Sequence, residues 1–226
     1  MTYRYVAASA AGFVQQLAVG YITHGYYFYV AGQIPETKDP ARTDAKVIAR
    51  YKLDISKWTR VRQKRAGQAG VQYLRFDRFF VIVATHGQHL FFAEEGEQIR
   101  DLRKQPLHFM GYSIGCRPSR GGGRYHASVR LHRETVAQLK ARFSCLAVHR
   151  SVEELRRHLR ALPYEPYAPV RDQLRGVQRE INRRRKTAGL ELLPWDALRR
   201  RRAPVKPFGE TTDGEGVLSD KERVRV

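Results

Sequence analysis

The sequence predicts an α+β fold in which helices flank an antiparallel sheet and a helical, arginine-rich extension follows at the C-terminus. Strand-like and helix-like segments are mixed up to residue 131, and only helix-like segments follow. Hydrophobic residues make up 42% of the 226 residues, which is enough for a folded core. Prolines at positions 163, 166 and 169 mark a candidate boundary. We expect an α+β domain over 1–162, a basic helical extension over 163–208 and a disordered tail over 209–226.

The N-terminal third combines three helices with one strand. The segment 22–33 is rich in β-branched and aromatic residues and is bounded by glycines, which favours a strand. Asp39 followed by Pro40 is typical of a helix start, and Ser56 can cap the next helix. The expected spans are helix 9–19, strand 22–33, helix 40–51 and helix 57–66.

The central and C-terminal segments continue this pattern. The run 71–85 is far longer than the usual ~5–6 residues of a strand, so we expect a hairpin that turns at Asp77 and Arg78. Ser151 and Glu154 form a capping box at a helix start. The remaining expected spans are loop 86–89, helix 93–103, strands 107–116 and 124–131, and helices 134–146, 152–161, 169–187 and 194–200.

Positive charge is the unusual property of this composition. The chain has 42 Lys plus Arg against 22 Asp plus Glu, a net charge of +20 and a pI near 10.4. Solubility alone needs a net charge of only roughly 2–8 for a small domain. Such an excess attracts polyanions over a distance. Nucleic acid is the commonest partner of this kind, and an anionic membrane surface or an acidic protein are the alternatives.

Other features limit the class of protein. Cys116 and Cys145 lie in unrelated contexts and give neither a disulfide framework nor a zinc-finger spacing. No apolar run approaches the ~20 residues that cross a bilayer. We therefore expect a cytoplasmic protein without a membrane partner.

The strongest local feature is the helix that begins at Pro169. Its apolar residues Val170, Leu174, Val177 and Ile181 recur at spacings of four, three and four, which predicts a buried stripe. Between residues 169 and 207 there are twelve Lys or Arg and four Asp or Glu. Since a solvated helix face usually mixes the two signs, we expect these cations to contact phosphates. The predicted contacts are Arg175, Arg179, Arg183, Arg184, Arg185, Lys186, Arg199, Arg200, Arg201 and Arg202.

A strand and its hairpin tip provide a second predicted contact line. Alternation along 124–132 turns Tyr125, Ala127, Val129 and Leu131 to the core and Arg124, His126, Ser128, Arg130 and His132 outward. Three glycines at 121–123 can expose backbone N–H groups beside flanking arginines, which suits a phosphate. Helix 57–66 offers a third basic patch. The predicted contacts here are Arg120, Arg124, Arg130, Lys57, Arg60 and Lys64.

One loop has residues that could support catalysis. His86 and His89 follow an apolar strand, and Glu94 comes shortly after. Imidazoles and carboxylates can hold a divalent metal that assists cleavage of a phosphodiester. No GxSxG, HExxH, Walker or Rossmann motif is present in the sequence. No cofactor is expected unless this loop binds such a metal.

Three functional hypotheses follow. The first is a non-catalytic nucleic-acid-binding protein for DNA or RNA, such as an accessory factor of a plasmid or mobile element. The second is a metal-dependent nuclease that uses His86 and His89. The third is a basic module that binds an acidic protein or a ribonucleoprotein. The single-sign cation cluster near the C-terminus favours the first.

Overall fold

The α+β prediction is confirmed by a computed structural model, which describes residues 3–119, 121–123, 125–199 and 205–209 and, among these, every side chain except that of Lys57. The helices are α1 Ala10–Gln15, α2 Pro40–Arg50, α3 Lys57–Arg65, α4 Leu90–Glu95, α5 Arg133–Leu146, α6 Val152–Arg160 and α7 Ala168–Thr187. The strands are β1 Phe28–Gln33, β2 Val71–Phe76, β3 Phe79–Ala84, β4 Arg100–Asp101, β5 Leu107–Phe109, β6 Tyr112–Pro118 and β7 Tyr125–Leu131. In these described ranges, no helix is both long and apolar enough to cross a membrane.

The strands form two antiparallel sheets. The four-stranded sheet has the order β2-β3-β1-β4, and the three-stranded sheet has the order β5-β6-β7. Phe76 pairs with Phe79 across the two-residue turn at Asp77 and Arg78, which confirms the predicted hairpin. Asp77 takes a φ of 52°, a left-handed conformation that Asp tolerates better than most residues.

The predicted strand 22–33 is wrong in its first half. Residues Gln16–Tyr21 continue α1 as a π-helix, and Ile22–His24 form a 3₁₀ turn. Tyr21 and Ile22 are strand formers by type, but both are buried in the core from this helical backbone. Gly25 then ends the helical run at a φ of 90°, and β1 begins only at Phe28. Tertiary burial overrides the local preference here.

Two further spans differ from expectation. The predicted strand 107–116 is a hairpin, because Met110 and Gly111 form a two-residue turn with φ values of 43° and 81°. Positive φ at both positions is the turn that joins two antiparallel strands most tightly. The predicted helix 93–103 is wrong beyond Glu95: α4 already starts at Leu90 because His89 caps it, a 3₁₀ turn follows over Gly96–Gln98, and β4 begins at Arg100.

The apolar core covers both faces of the four-stranded sheet. Tyr73 and Ile82 pack on one face with α2 and α4, and Leu74 and Val81 pack on the other with α1 and the second sheet. The apolar stripe of α7 belongs to this second cluster. Within the segment predicted as a basic helical extension, 163–208, helix α7 therefore packs into the α+β core through that stripe. The predicted tail lies outside the described residues from position 210 onward.

A buried ion pair fixes α2 on the first sheet. Asp44 is fully buried and accepts hydrogen bonds from the Tyr73 hydroxyl at 2.6 Å and from Nε of Arg75 at 2.9 Å. A second nitrogen of Arg75, Nη2, lies 2.8 Å from the carboxylate. Burial and then the neighbouring Asp44 carboxylate raise the pKa of Tyr73, so its hydroxyl remains a donor. The Asp44 carboxylate thus joins α2 to two positions on the same face of β2, Tyr73 and Arg75.

We predict that Asp44→Ala lowers the free energy of unfolding by about 3–5 kcal/mol, because it leaves the Arg75 guanidinium in the interior without its counter-charge. Asp172→Ala is the matched control, since Asp172 also pairs with an arginine but is exposed. We expect about 0–1 kcal/mol there. Chemical denaturation followed by circular dichroism measures both values, and equal losses would contradict the structural role of Asp44.

Candidate nucleic-acid interface

The position of α7 is set by its buried stripe and by one amide. Val170, Leu174, Val177 and Ile181 are all buried, as the spacing predicts. The Gln173 amide donates to the Leu131 carbonyl at 2.9 Å and accepts from the Leu131 N–H at 2.8 Å. The helix is therefore locked to the edge of β7, and its remaining faces are directed away from the sheet.

The chain beyond α7 returns along the helix and is held against it. The Gln178 amide donates to the Pro194 carbonyl at 2.6 Å. The Asn182 amide donates to the Leu193 carbonyl at 3.0 Å and accepts from the Leu193 N–H at 2.9 Å. The predicted helix 194–200 is wrong in the part that the structure describes, since residues 191–199 are irregular with a turn at Trp195. The side-chain amides of α7 satisfy these backbone groups in place of a helix.

A groove of about 950 Å³ lies between α7 and this returning segment. One wall and the rim carry four arginines, the floor carries two leucines, and a tryptophan stands at the edge. These residues are Arg171, Arg175, Arg179, Arg199, Leu193, Leu198 and Trp195. Trp195 is 76% exposed although it follows a proline in a packed segment. The groove therefore combines positive charge with apolar surface.

Acidic residues neutralise part of this wall. Arg175 pairs with Asp172 at 3.1 Å, and Arg199 pairs with Glu165 at 3.1 Å. Arg179 is exposed and has no ion-pair partner among the residues that the structure describes. The Arg175 pair is exposed on both sides, so water and salt weaken it. A phosphate can replace such a partner at small cost.

The last two turns of α7 show the same mixture of acidic and basic side chains. Glu180 accepts from Arg183 at 2.6 Å and from Arg184 at 3.3 Å. The hydrogen bonds from Arg183 are the main reason that the pKa of Glu180 falls to about 2. Lys186 is exposed one turn later. Arg183 and Arg184 therefore lie on the surface as predicted, but they share one acid.

Arg185 does not lie on this surface, and the prediction that it contacts phosphate is corrected. It is only 4% exposed, and its guanidinium donates to the carbonyls of Ala147 and Arg150 at 2.7 Å each and to that of Glu191. These acceptors belong to the end of α5, the following loop and the returning segment. Arg185 therefore joins three parts of the chain and has a structural role.

The strand β7 places Arg130 beside the start of α7. Burial and then the charge of Arg117 lower the pKa of Arg130, while Asp172 raises it, so these groups share one electrostatic environment. The expected outward position of Ser128 is wrong because it is buried. Ser128 pairs with Gly115 on the neighbouring strand. A Cβ at Gly115 would come within 3.0 Å of the Leu102 carbonyl, so a loop covers that part of the sheet.

Five predicted contacts lie outside the described residues: Arg120, Arg124, Arg200, Arg201 and Arg202.

Helix α3 keeps only part of its predicted role. Ser56 caps it as expected, and Lys64 is exposed. Arg60 instead donates to the Leu53 carbonyl at 3.2 Å and lies over the Tyr3 ring. The side chain of Lys57 lies outside the described set. Trp58 on the same helix is 75% exposed.

The candidate catalytic loop has structural contacts that occupy its residues. His89 accepts from the Phe91 N–H at 3.0 Å as the cap of α4, and burial lowers its pKa. Glu94 pairs with Arg50 at 2.5 Å, and the His86 ring packs edge-on against Phe28. Within the described residues, no group of three or more His, Cys, Asp or Glu side chains is arranged to hold a metal. The structure does not bring these three residues together as a metal site.

The comparisons with known proteins give no match: no family model, no curated protein and no solved structure matches the chain. What the groove can bind is therefore inferred from its own side chains. Trp195 and Arg171 line the groove but are not among the contacts predicted from the sequence. The helical spacing of Arg171, Arg175 and Arg179 was a usable signal, because residues four apart lie on neighbouring turns of one helix face.

We predict that Arg185→Ala lowers the free energy of unfolding by about 2–4 kcal/mol, because buried carbonyls lose their donor. The adjacent Arg184→Ala should change it by less than about 0.5 kcal/mol, as is usual for a surface position. Urea denaturation of both variants is the measurement. A mild effect of Arg185→Ala, comparable to that of its neighbour, would return Arg185 to the list of surface cations.

Proposed function

We propose that this protein binds nucleic acid through the phosphate backbone, with the arginine wall of the groove along α7 as the main contact surface. The observation that carries the proposal is the concentration of Arg171, Arg175, Arg179 and Arg199 around one groove. The net charge of +20 adds a long-range attraction for polyanions. Arginine also suits this task because its planar guanidinium can form two parallel hydrogen bonds with one phosphate.

The spacing of the wall agrees with a repeating polyanion. Arg171, Arg175 and Arg179 follow each other at four-residue intervals, which is about 6 Å per step along a helix axis. Phosphates repeat at roughly 3.4 Å per nucleotide along a stacked strand. The row of about 12 Å therefore matches roughly four nucleotides. A repeated charge at regular spacing favours nucleic acid over an acidic protein, whose carboxylates follow its fold.

The nuclease hypothesis receives less support from the same structure. His89 caps a helix and Glu94 is paired with Arg50, so both would have to leave existing contacts to hold a metal. Binding by the groove needs a smaller change, because the Arg175 pair that a phosphate would replace is exposed on both sides. We therefore propose binding without cleavage as the activity of the described chain.

We predict that the double variant Arg175→Ala/Arg179→Ala weakens binding of a labelled oligonucleotide and flattens its salt dependence. Each phosphate contact contributes a slope of about 0.7 on single strands and 0.9 on duplex in log K against log salt, so two lost contacts reduce the slope by roughly 1.4–1.8. Fluorescence anisotropy titrations at several salt concentrations measure both quantities.

The matched control is Arg42→Ala/Lys46→Ala, which also removes two exposed cations four residues apart, but from α2. We expect little change in slope for this control. Equal losses in the two double variants would mean that net charge, and not the groove, governs binding. Affinity weaker than micromolar at low salt for the unmodified protein would reject the proposal, and co-purified material that is insensitive to nuclease would favour an acidic protein partner.

Removing an acidic side chain beside the arginines of α7 should strengthen binding, which gives an independent prediction. Glu180→Gln should strengthen oligonucleotide binding about two- to fivefold at low salt, because it releases Arg183 and Arg184 from their shared carboxylate. Glu36→Gln raises the net charge by the same amount at an exposed position before α2, and it should have a smaller effect. Binding constants from anisotropy decide between the two, and no gain from Glu180→Gln would exclude this turn of α7 from the interface.

A further inference from the structure

We propose that the groove takes a single strand of nucleic acid and that one unpaired base stacks on the indole of Trp195. This inference rests on the proposed function and specifies its substrate class. It comes from the tryptophan and the leucines of the groove, which phosphate binding alone does not need. The occupant has to offer both a negatively charged backbone and a free apolar ring face, and an unpaired nucleotide offers both.

The first support is the way in which Trp195 is presented. Trp195 is 76% exposed, but the backbone on each side of it is held by hydrogen bonds. Gln178 donates to the Pro194 carbonyl at 2.6 Å, and Arg160 donates to the Asp196 carbonyl at 3.0 Å. Ala197, two residues on, is fully buried. A ring on a fixed backbone loses little conformational freedom when a base stacks on it, which favours binding.

The second support is the composition of the groove below this ring. Leu193 and Leu198 line it and are buried among core residues, so they form an apolar floor. Arg175 and Arg179 stand on the α7 wall of the same groove. A single strand can direct phosphates to the wall and ring faces to the floor and the indole. A duplex keeps the faces of its bases stacked inside and can use only the wall.

The polar residues of the groove also indicate what kind of recognition to expect. Asn182 uses both atoms of its amide on the backbone of Leu193, and Gln178 donates its amide to Pro194. These groups are therefore engaged in holding the returning segment. Stacking accepts every base because each has a π-face. We infer that the groove binds single strands with little preference for base sequence.

The test uses the full chain with Trp58→Phe, so that Trp195 is the remaining tryptophan and reports stacking through its fluorescence. Single-stranded DNA and RNA oligomers of one mixed sequence, the same strands annealed to their complements, and an abasic strand of equal length are the probes. We expect quenching by the single strands and little quenching by the duplexes or the abasic strand. Quenching of equal size by all probes would overturn the stacking proposal.

A substitution tests the same point by affinity. Trp195→Ala should weaken binding of the single strands about 5- to 150-fold, the range expected for loss of one stacked base, and leave duplex and abasic binding within about twofold. Trp195→Phe should retain most of the affinity because it keeps an aromatic face. Trp58→Ala is the matched control, since Trp58 is equally exposed at 75% but lies on α3.

The outcomes separate this inference from the proposed function. If single strands and duplexes bind with equal affinity and Trp195→Ala affects neither, the stacking proposal is wrong while phosphate binding stands. An equal loss from Trp58→Ala and Trp195→Ala overturns the assignment to the groove. If none of the oligomers binds at low salt, both proposals are overturned. Circular dichroism of each variant confirms that the fold is intact, as expected for an exposed side chain.

Discussion

The burial of one face of α7 is the constraint on which the candidate site depends. Val170, Leu174, Val177 and Ile181 pack into the main core, and Arg185 continues the same line one turn later. Arg185 is a charge in the interior, which is tolerated because its guanidinium has carbonyl acceptors from three parts of the chain. Cationic and apolar contacts together fix the rotation of the helix. That rotation leaves the row of arginines at four-residue spacing on the side of the groove.

Two kinds of ion pair coexist in this molecule, and their burial decides what each can do. The Asp44 carboxylate lies in the interior with Arg75 and a tyrosine hydroxyl, so its arginine is committed to the fold. The Asp172 carboxylate pairs with Arg175 at the surface, where both side chains are largely hydrated. Replacing an exposed carboxylate by a phosphate keeps the charge pairing and adds a second hydrogen bond. The acids that interleave with the arginines of α7 therefore make the proposed surface less positive, and the exposed pairs among them are the ones that a phosphate would replace.

Local signals predicted a large part of this fold, and contacts between distant residues account for the rest. The capping box at Ser151, the turn at Asp77 and the apolar stripe of α7 are confirmed. Each of these features depends on residues that are close together in the sequence. The 3₁₀ turn at Ile22 was not predicted, because the residue types around it favour strands. Its helical backbone follows from burial of Tyr21 and Ile22 in the core, which local sequence does not indicate. Arg185 resembles its neighbours in sequence, and its burial follows from carbonyls at 147 and 150. The site was predicted as charge on a helix, but the groove required the returning segment.

The two exposed tryptophans show why the groove, and not basic helices in general, is the stronger candidate. Trp58 projects from α3, a helix with exposed cations at Arg62 and Lys64 and a convex surface. Trp195 stands above an apolar floor and beside a wall of arginines. A base that stacks on a convex helix stays hydrated on its other face. A base in a groove is removed from water on both faces, and its phosphate lies next to a guanidinium. Shape therefore adds to charge at Trp195, and this combination distinguishes a strand-binding groove from a surface that is only positive.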